Sequence, residues 1–177
     1  VGLLPLEAVT VELLLGQHLA LGVPRMTEAI PAATLVLFRD SGAVPELLFV
    51  ERSKAMVFAG GALVFPGGRI DPGDRALALE LGGEPEDMAA RIGAIRETIE
   101  EVGLPVGLAR MPGAEVLARL RRSLHDGAAF GPALEVAGLS LDPAALVPFA
   151  RCVPAARCAS PHAARRCVYR FTLACSE

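Results

Sequence analysis

Between residues 30 and 70 the apolar positions fall in short runs separated by turn-forming residues. AATLVLFRD (32–40) is an apolar run ending in charge and is followed by the turn-like SGAVP. ELLFVERS (46–53) is rich in Leu, Phe and Val, and the two runs predict neighbouring strands joined as a hairpin. GALVFPGG (61–68) predicts a third strand, broken by Pro66 and two glycines. Pro-Gly-Gly forces a tight turn at which backbone can approach a ligand. RIDPGDRALALELGGEPED (69–87), with Pro and Gly scattered through it, predicts a long loop. Beyond Pro85 the period changes. Ile92, Ile95, Ile99 and Val102 recur at helical spacing, predicting a helix from about Pro85 to Val102 whose apolar stripe lies on the sheet. Gly103 is placed to stop it. EVLARLRRSLHDG predicts a second amphipathic helix, LDPAALVPFAR a short helix leading into a strand, and VYRFTLA a last strand. There is no internal repeat and no low-complexity tract.

The chain has 177 residues, 53% hydrophobic and 21% charged, which suits one domain with a real core and excludes a disordered chain. A net charge of −3 provides no electrostatic footprint for nucleic acid or an anionic membrane. LLPLEAVTVELLLGQHLALG near the start is apolar, but it carries Glu7 and Glu12 and lacks a basic leader and a small-residue cleavage site. It therefore reads as neither signal peptide nor membrane span, and a soluble cytoplasmic protein is expected. Residues 1–25 are expected to be a helical N-terminal extension, and 26–177 the main domain. Cys152, Cys158, Cys167 and Cys175 cluster near the end, with His162 among them, but form no CxxC pair. Free thiols are expected of them.

RETIEEVGL (96–104) poses the chemical question. Glu97, Glu100 and Glu101 share one side of the predicted helix, at spacings where like charges repel. They also lie near its C-terminal end, where the helix dipole disfavours anions. Solvent or a bound cation must offset this. Carboxylate oxygens clustered on a rigid helix suit Mg²⁺ or Mn²⁺, which also bind through substrate phosphates. The Gly67–Gly68 turn can add backbone contacts, and Arg96 can pair with Glu100 one turn on and restrain it.

The segment resembles the Nudix box, G-x5-E-x7-R-E-U-x-E-E-x-G-U with U aliphatic. Arg96, Glu97, Glu100, Glu101, Gly103 and Leu104 match its second half, and Gly68 its first glycine. Asp74 stands where the pattern has its first Glu. The gap from Asp74 to Arg96 is 21 residues instead of 7, an insertion of 14, and Thr98 takes an aliphatic position. The resemblance implies an α/β fold, a three-layer α/β/α sandwich with a mixed sheet. It implies metal-dependent hydrolysis of a diphosphate linked to another moiety. It further implies Glu97, Glu100, Glu101 and the Gly68 carbonyl as metal ligands, Arg96 as their orienting residue, and Asp74 as the outer carboxylate. A cluster of cations suits this chemistry, because water must attack phosphorus within a polyanion.

LLFVERSKAMVFAGGALVFPGG (47–68) resembles the element before the box in coenzyme A-type Nudix hydrolases, with Arg52, Ser53, Gly61, Phe65, Pro66, Gly67 and Gly68 in register. Val57 and Ala59 depart from it. With the box insertion and LHDGAAFGPALEVAGLSLDPAALVPFAR, residues 32–151 are most similar to the acyl-CoA diphosphatase branch. The resemblance implies CoA or acyl-CoA as substrate, with Arg52, Ser53, Gly67 and Gly68 as substrate-binding residues. A nucleotide-sugar or nucleotide pyrophosphatase, and a catalytically weak binding module, are the alternatives. The expected partner is a small nucleotide diphosphate, with no nucleic acid or membrane, and the expected assembly a homodimer. After Arg151, RRCVYRFTLACSE keeps the Arg pair and strand of similar chains but not their aromatic and acidic residues, and it is shorter. An incomplete C-terminal part with an exposed sheet edge is therefore expected.

Overall fold

The computed structural model describes residues 30–39, 45–54, 61–152 and 164–173. The expected N-terminal extension, positions 57 to 59, and Cys158, His162 and Cys175 lie outside the described residues.

Strand β1 (Ile30–Arg39) is the centre of the fold. Ala33, Leu35 and Leu37 on one face are fully buried, and Ala32 and Thr34 on the other are buried too. A strand covered on both faces reads as a continuous apolar run, as this one does, and not as an alternation. On one edge β1 runs parallel to β7 (Ala164–Leu173), in register from Ile30 opposite Ala164 to Arg39 opposite Leu173. Its other edge is shared by β2 (Glu46–Leu47) and β5 (Gly67–Arg69), both antiparallel to it. β6 (Val147–Cys152) pairs antiparallel with β7 and so covers that strand's outer edge. The sheet is mixed, in the order β2-β1-β7-β6 with β5 beside β1. β3 (Val50–Glu51) and β4 (Leu63–Val64) form a separate antiparallel pair.

The expected hairpin forms through Phe38 opposite Leu47, but 46–53 is not one strand. The chain leaves β1 after Leu47 and re-pairs with β4 from Val50, so the run is divided between two sheets. Phe49 stacks on Phe65 with ring centroids 4.6 Å apart, which ties these two segments together.

Residues 69–87 are not a long loop. They contain helix α1 (Pro72–Leu81). Pro72 occupies its first turn, and the Asp71 and Asp74 side chains make a reciprocal capping box with each other's backbone. Gly82 closes it. The Pro and Gly that suggested a loop are the start and stop signals of this helix. α2 (Pro85–Val102) has the predicted bounds. Glu84 accepts hydrogen bonds from the backbone of Glu86 and Asp87 at its start, and Gly103 ends it in the left-handed conformation. α3 (Ala114–His125) is the predicted amphipathic helix. α4 (Phe130–Ala137) was not foreseen, and a 3-10 turn at Pro143–Ala145 leads into β6.

α2 makes the main helix contact with the sheet, α1 and α3 pack against it, and α4 packs on α1 and α3. Ile92, Ile95 and Ile99 are fully buried in one cluster with Leu35, Leu37, Leu120, Phe130 and Leu146. Val102, at the end of the stripe, is only half-buried. The result is an α/β fold with helices on a mixed sheet, and the four α-helices among the described residues lie in the connection between β5 and β6. No helix among the described residues is long and apolar enough to cross a membrane.

Ile95 lies at the middle of this core. Ile95→Ala should cost about 3 kcal/mol of stability, read from the urea midpoint at unchanged slope.

Candidate active site

The site is built where β5 meets the second half of α2. Gly67 has φ +152°, and a Cβ there would run into the Ala33 carbonyl and the backbone of Thr34. A Cβ on Gly68 would overlap the Glu97 carboxylate. Both glycines are therefore demanded by close approach, Gly67 to the neighbouring strand and Gly68 to the helix. Through this gap the Gly67 N–H donates to Glu101 Oε2 at 3.0 Å.

Arg96 is the hub. Its residue exposure is 6%, and that of Asp74 is 0%. Arg96 Nε donates to Asp74 Oδ1 and Nη2 to Asp74 Oδ2, each at 3.0 Å, a two-pronged ion pair. Nη2 also donates to the Arg69 carbonyl at 2.8 Å. Nη1 lies 3.0 Å from Glu97 Oε1 and 3.5 Å from Glu100 Oε2. The predicted Arg96–Glu100 contact is present but is the longer of these two. The tighter partner, Asp74, comes from across the 14-residue insertion. Asp74, expected as the outer carboxylate of the box, is fully buried against Arg96. It accepts from the Asp71 N–H at 2.9 Å as well, so one carboxylate caps α1 and holds Arg96.

Burial pushes the Asp74 carboxyl above the usual aspartate range, against the pull of Arg96 and the Asp71 N–H. Burial also works against the Arg96 charge, but Asp74, Glu97 and Asp71 outweigh it and keep the guanidinium protonated. The Glu97 carboxyl is pushed up to about 7, first by burial and then by the charges of Glu100 and Glu101, with Arg96 opposing. Glu101 is also raised by burial, against the Gly67 N–H and the nearby Arg52.

Of the sequence-predicted residues, the fold brings together Gly67, Gly68, Arg96, Glu97, Glu100 and Glu101, with Arg52 near Glu101. Arg52 is half-buried and held by backbone bonds to Ala62 and Gly61. Ser53 beside it is exposed. Among the described residues, no group of three or more acidic, His or Cys side chains lies in metal-holding geometry. The donor chemistry nevertheless fits a divalent cation. Glu97, Glu100 and Glu101 are all hard oxygen donors on one helix, and the missing Cβ of Gly68 lets the partly buried Glu97 carboxylate lie directly against the turn.

Sequence reasoning missed Arg121. Its Nε donates to the Glu100 carbonyl at 2.8 Å and an Nη to the Glu101 carbonyl at 2.9 Å, placing a cation at the negative end of α2. His125 Nδ1 stands 3.8 Å from Glu100 Oε1. Nothing in the sequence links α3 to these carbonyls, which are backbone groups some 20 residues away.

The chain is similar to a solved structure described as the crystal structure of a NUDIX hydrolase from Alicyclobacillus acidocaldarius. Identity is 30%, the match covers 85% of this chain and 72% of that one, and the TM-score is 0.66. The chain belongs to the Nudix hydrolase family. Neither a protein-family model nor a curated protein matches it. In this Nudix hydrolase the lengthened box is folded as α1 and the first turns of α2, and Asp74 returns to Arg96 across the insertion.

Two outcomes follow from these charges. Asp74→Asn removes the counter-charge of a buried arginine and should destabilise the protein by about 3 kcal/mol in urea unfolding. Glu97 has a raised folded pKa, so its contribution is complete below the ordinary glutamate pKa and is lost as pH rises through about 7. In EDTA, stability measured by urea unfolding should fall across that window by at most about 3 kcal/mol relative to Glu97→Gln. Equal pH profiles would contradict this.

Proposed function

We propose that this Nudix hydrolase is a divalent-metal-dependent diphosphatase that cleaves CoA or acyl-CoA. The observation that carries the metal reading is the Glu97 carboxylate, packed against Gly68 with its side chain only 16% exposed, beside Glu100 and Glu101 on the same helix. Three acidic groups crowded on a partly buried face are costly without a cation. The substrate reading is supported by the register of Arg52, Ser53, Gly61 and Phe65 to Gly68, and by the position of Arg52 near Glu101.

Glu97, Glu100, Glu101 and the Gly68 carbonyl would hold Mg²⁺ or Mn²⁺. Bound there, the ion supplies charge neutralisation of the diphosphate and a more acidic water. The chain's own residues do the rest. Arg96 keeps Glu97 and Glu100 from turning away, and it is itself fixed by Asp74 and the Arg69 carbonyl. Gly67 and Gly68 leave backbone close to the acidic face, where no side chain blocks a phosphate. Arg52 balances charge on the Glu101 side and would meet a phosphate oxygen of the substrate. A glutamate of this face accepts the proton of the attacking water.

Purified protein is assayed with Mg²⁺ or Mn²⁺ against CoA, acyl-CoA, ADP-ribose, nucleotide sugars and dNTPs. Metal-dependent cleavage of CoA is expected, with Glu100→Gln lowering kcat at least about a hundredfold. Cleavage of another substrate in preference to CoA would overturn the substrate. Metal-independent turnover, or full activity in Glu100→Gln, would overturn the mechanism.

A further inference from the structure

Glu100 and Glu101 lie in the last turn of α2, where the helix's own N–H groups run out and its final carbonyls have no intrahelical donor. The Gly103 N–H serves the Ile99 carbonyl. The next two carbonyls, of Glu100 and Glu101, are taken by the Nε and an Nη of Arg121. Two donors in one rigid plane on two successive peptide units fix the orientation of both, which a single ammonium does not do. This grip spans an open cleft of about 560 Å³ between α2 and α3, bounded also by Val102, Leu117, Ala118, Arg122 and His125. With space beside it instead of tight packing, the end of α2 depends on the fork.

We propose that Arg121 is a positioning residue for the metal site. By holding the peptide units of Glu100 and Glu101, it keeps both carboxylates on the face that receives the cation. This rests on the metal reading above. The role predicts a direction of change. If Arg121 acted only through its charge, removing it would tighten cation binding, because one repelling cation would be gone. If it were only a structural cap, affinity would not move. Positioning alone predicts weaker binding after its loss.

The test uses Mn²⁺ binding to the full chain, followed by EPR of the free ion, in wild type, Arg121→Gln, Arg121→Lys, Arg122→Gln and Glu100→Gln. Amide hydrogen exchange of Glu101 to Gly103 is measured without metal. Arg121→Gln and Arg121→Lys should both weaken Mn²⁺ on the order of tenfold, the usual effect of losing a residue that orients a ligand, and both should speed exchange in the last turn. Arg122→Gln, in the same cleft, should match wild type. Unchanged or tighter Mn²⁺ binding in both Arg121 variants would overturn the proposal, even with faster exchange. If Arg121→Gln does not fold, Arg121→Lys against Arg122→Gln decides. Equal Mn²⁺ binding by wild type and Glu100→Gln would show that the metal reading itself has failed, and the proposal with it.

Discussion

The buried ion pair between Asp74 and Arg96 is the interaction on which the rest of the site depends. An arginine charge at 6% exposure is tolerable only with its donors satisfied, and here they meet a fully buried carboxylate and the Arg69 carbonyl. Each partner belongs to a different element. Asp74 begins α1, Arg69 ends β5 and Arg96 lies in α2. One guanidinium therefore fixes a helix start, a strand end and the glutamate-bearing helix relative to each other. Its remaining nitrogen faces Glu97 and Glu100, so structural order is passed directly to the acidic face.

That face combines two unfavourable features, clustered like charges and the negative end of a helix. The protein offsets them from several directions. Arg96 acts from within the helix, the Gly67 N–H from the strand, and Arg121 from α3 at the terminal carbonyls. These groups reduce the repulsion without removing it, and burial, with the charges of Glu100 and Glu101 added, still pushes the Glu97 carboxyl up to about 7. A face left in that condition is well suited to a divalent cation, whose charge relieves the same repulsion.

The two glycines of the turn set how close the strand and helix can come. The 14-residue insertion shows the complementary tolerance. Extra chain in a surface connection costs little entropy, and here it continues a helix started by the capping box just before it, whose Asp74 keeps the contact with Arg96.

The chain's pattern alone determined the elements whose signals are local. β1 and the bounds of α2, with its Gly103 stop, followed from periodicity and capping chemistry, and the acidic cluster followed from helical spacing. α1 was misread because its Pro and Gly serve equally as loop formers and as helix ends, and α4 is too short for a strong period. Only the tertiary structure decided that 46–53 divides between two sheets, that β7 runs parallel to β1, that Asp74 is buried on Arg96, and that Arg121 caps the glutamate helix. Each of these is a pairing between distant segments, often through backbone atoms every residue shares. Local composition specifies which groups can be charged, buried or helical. Which of them meet is settled by packing.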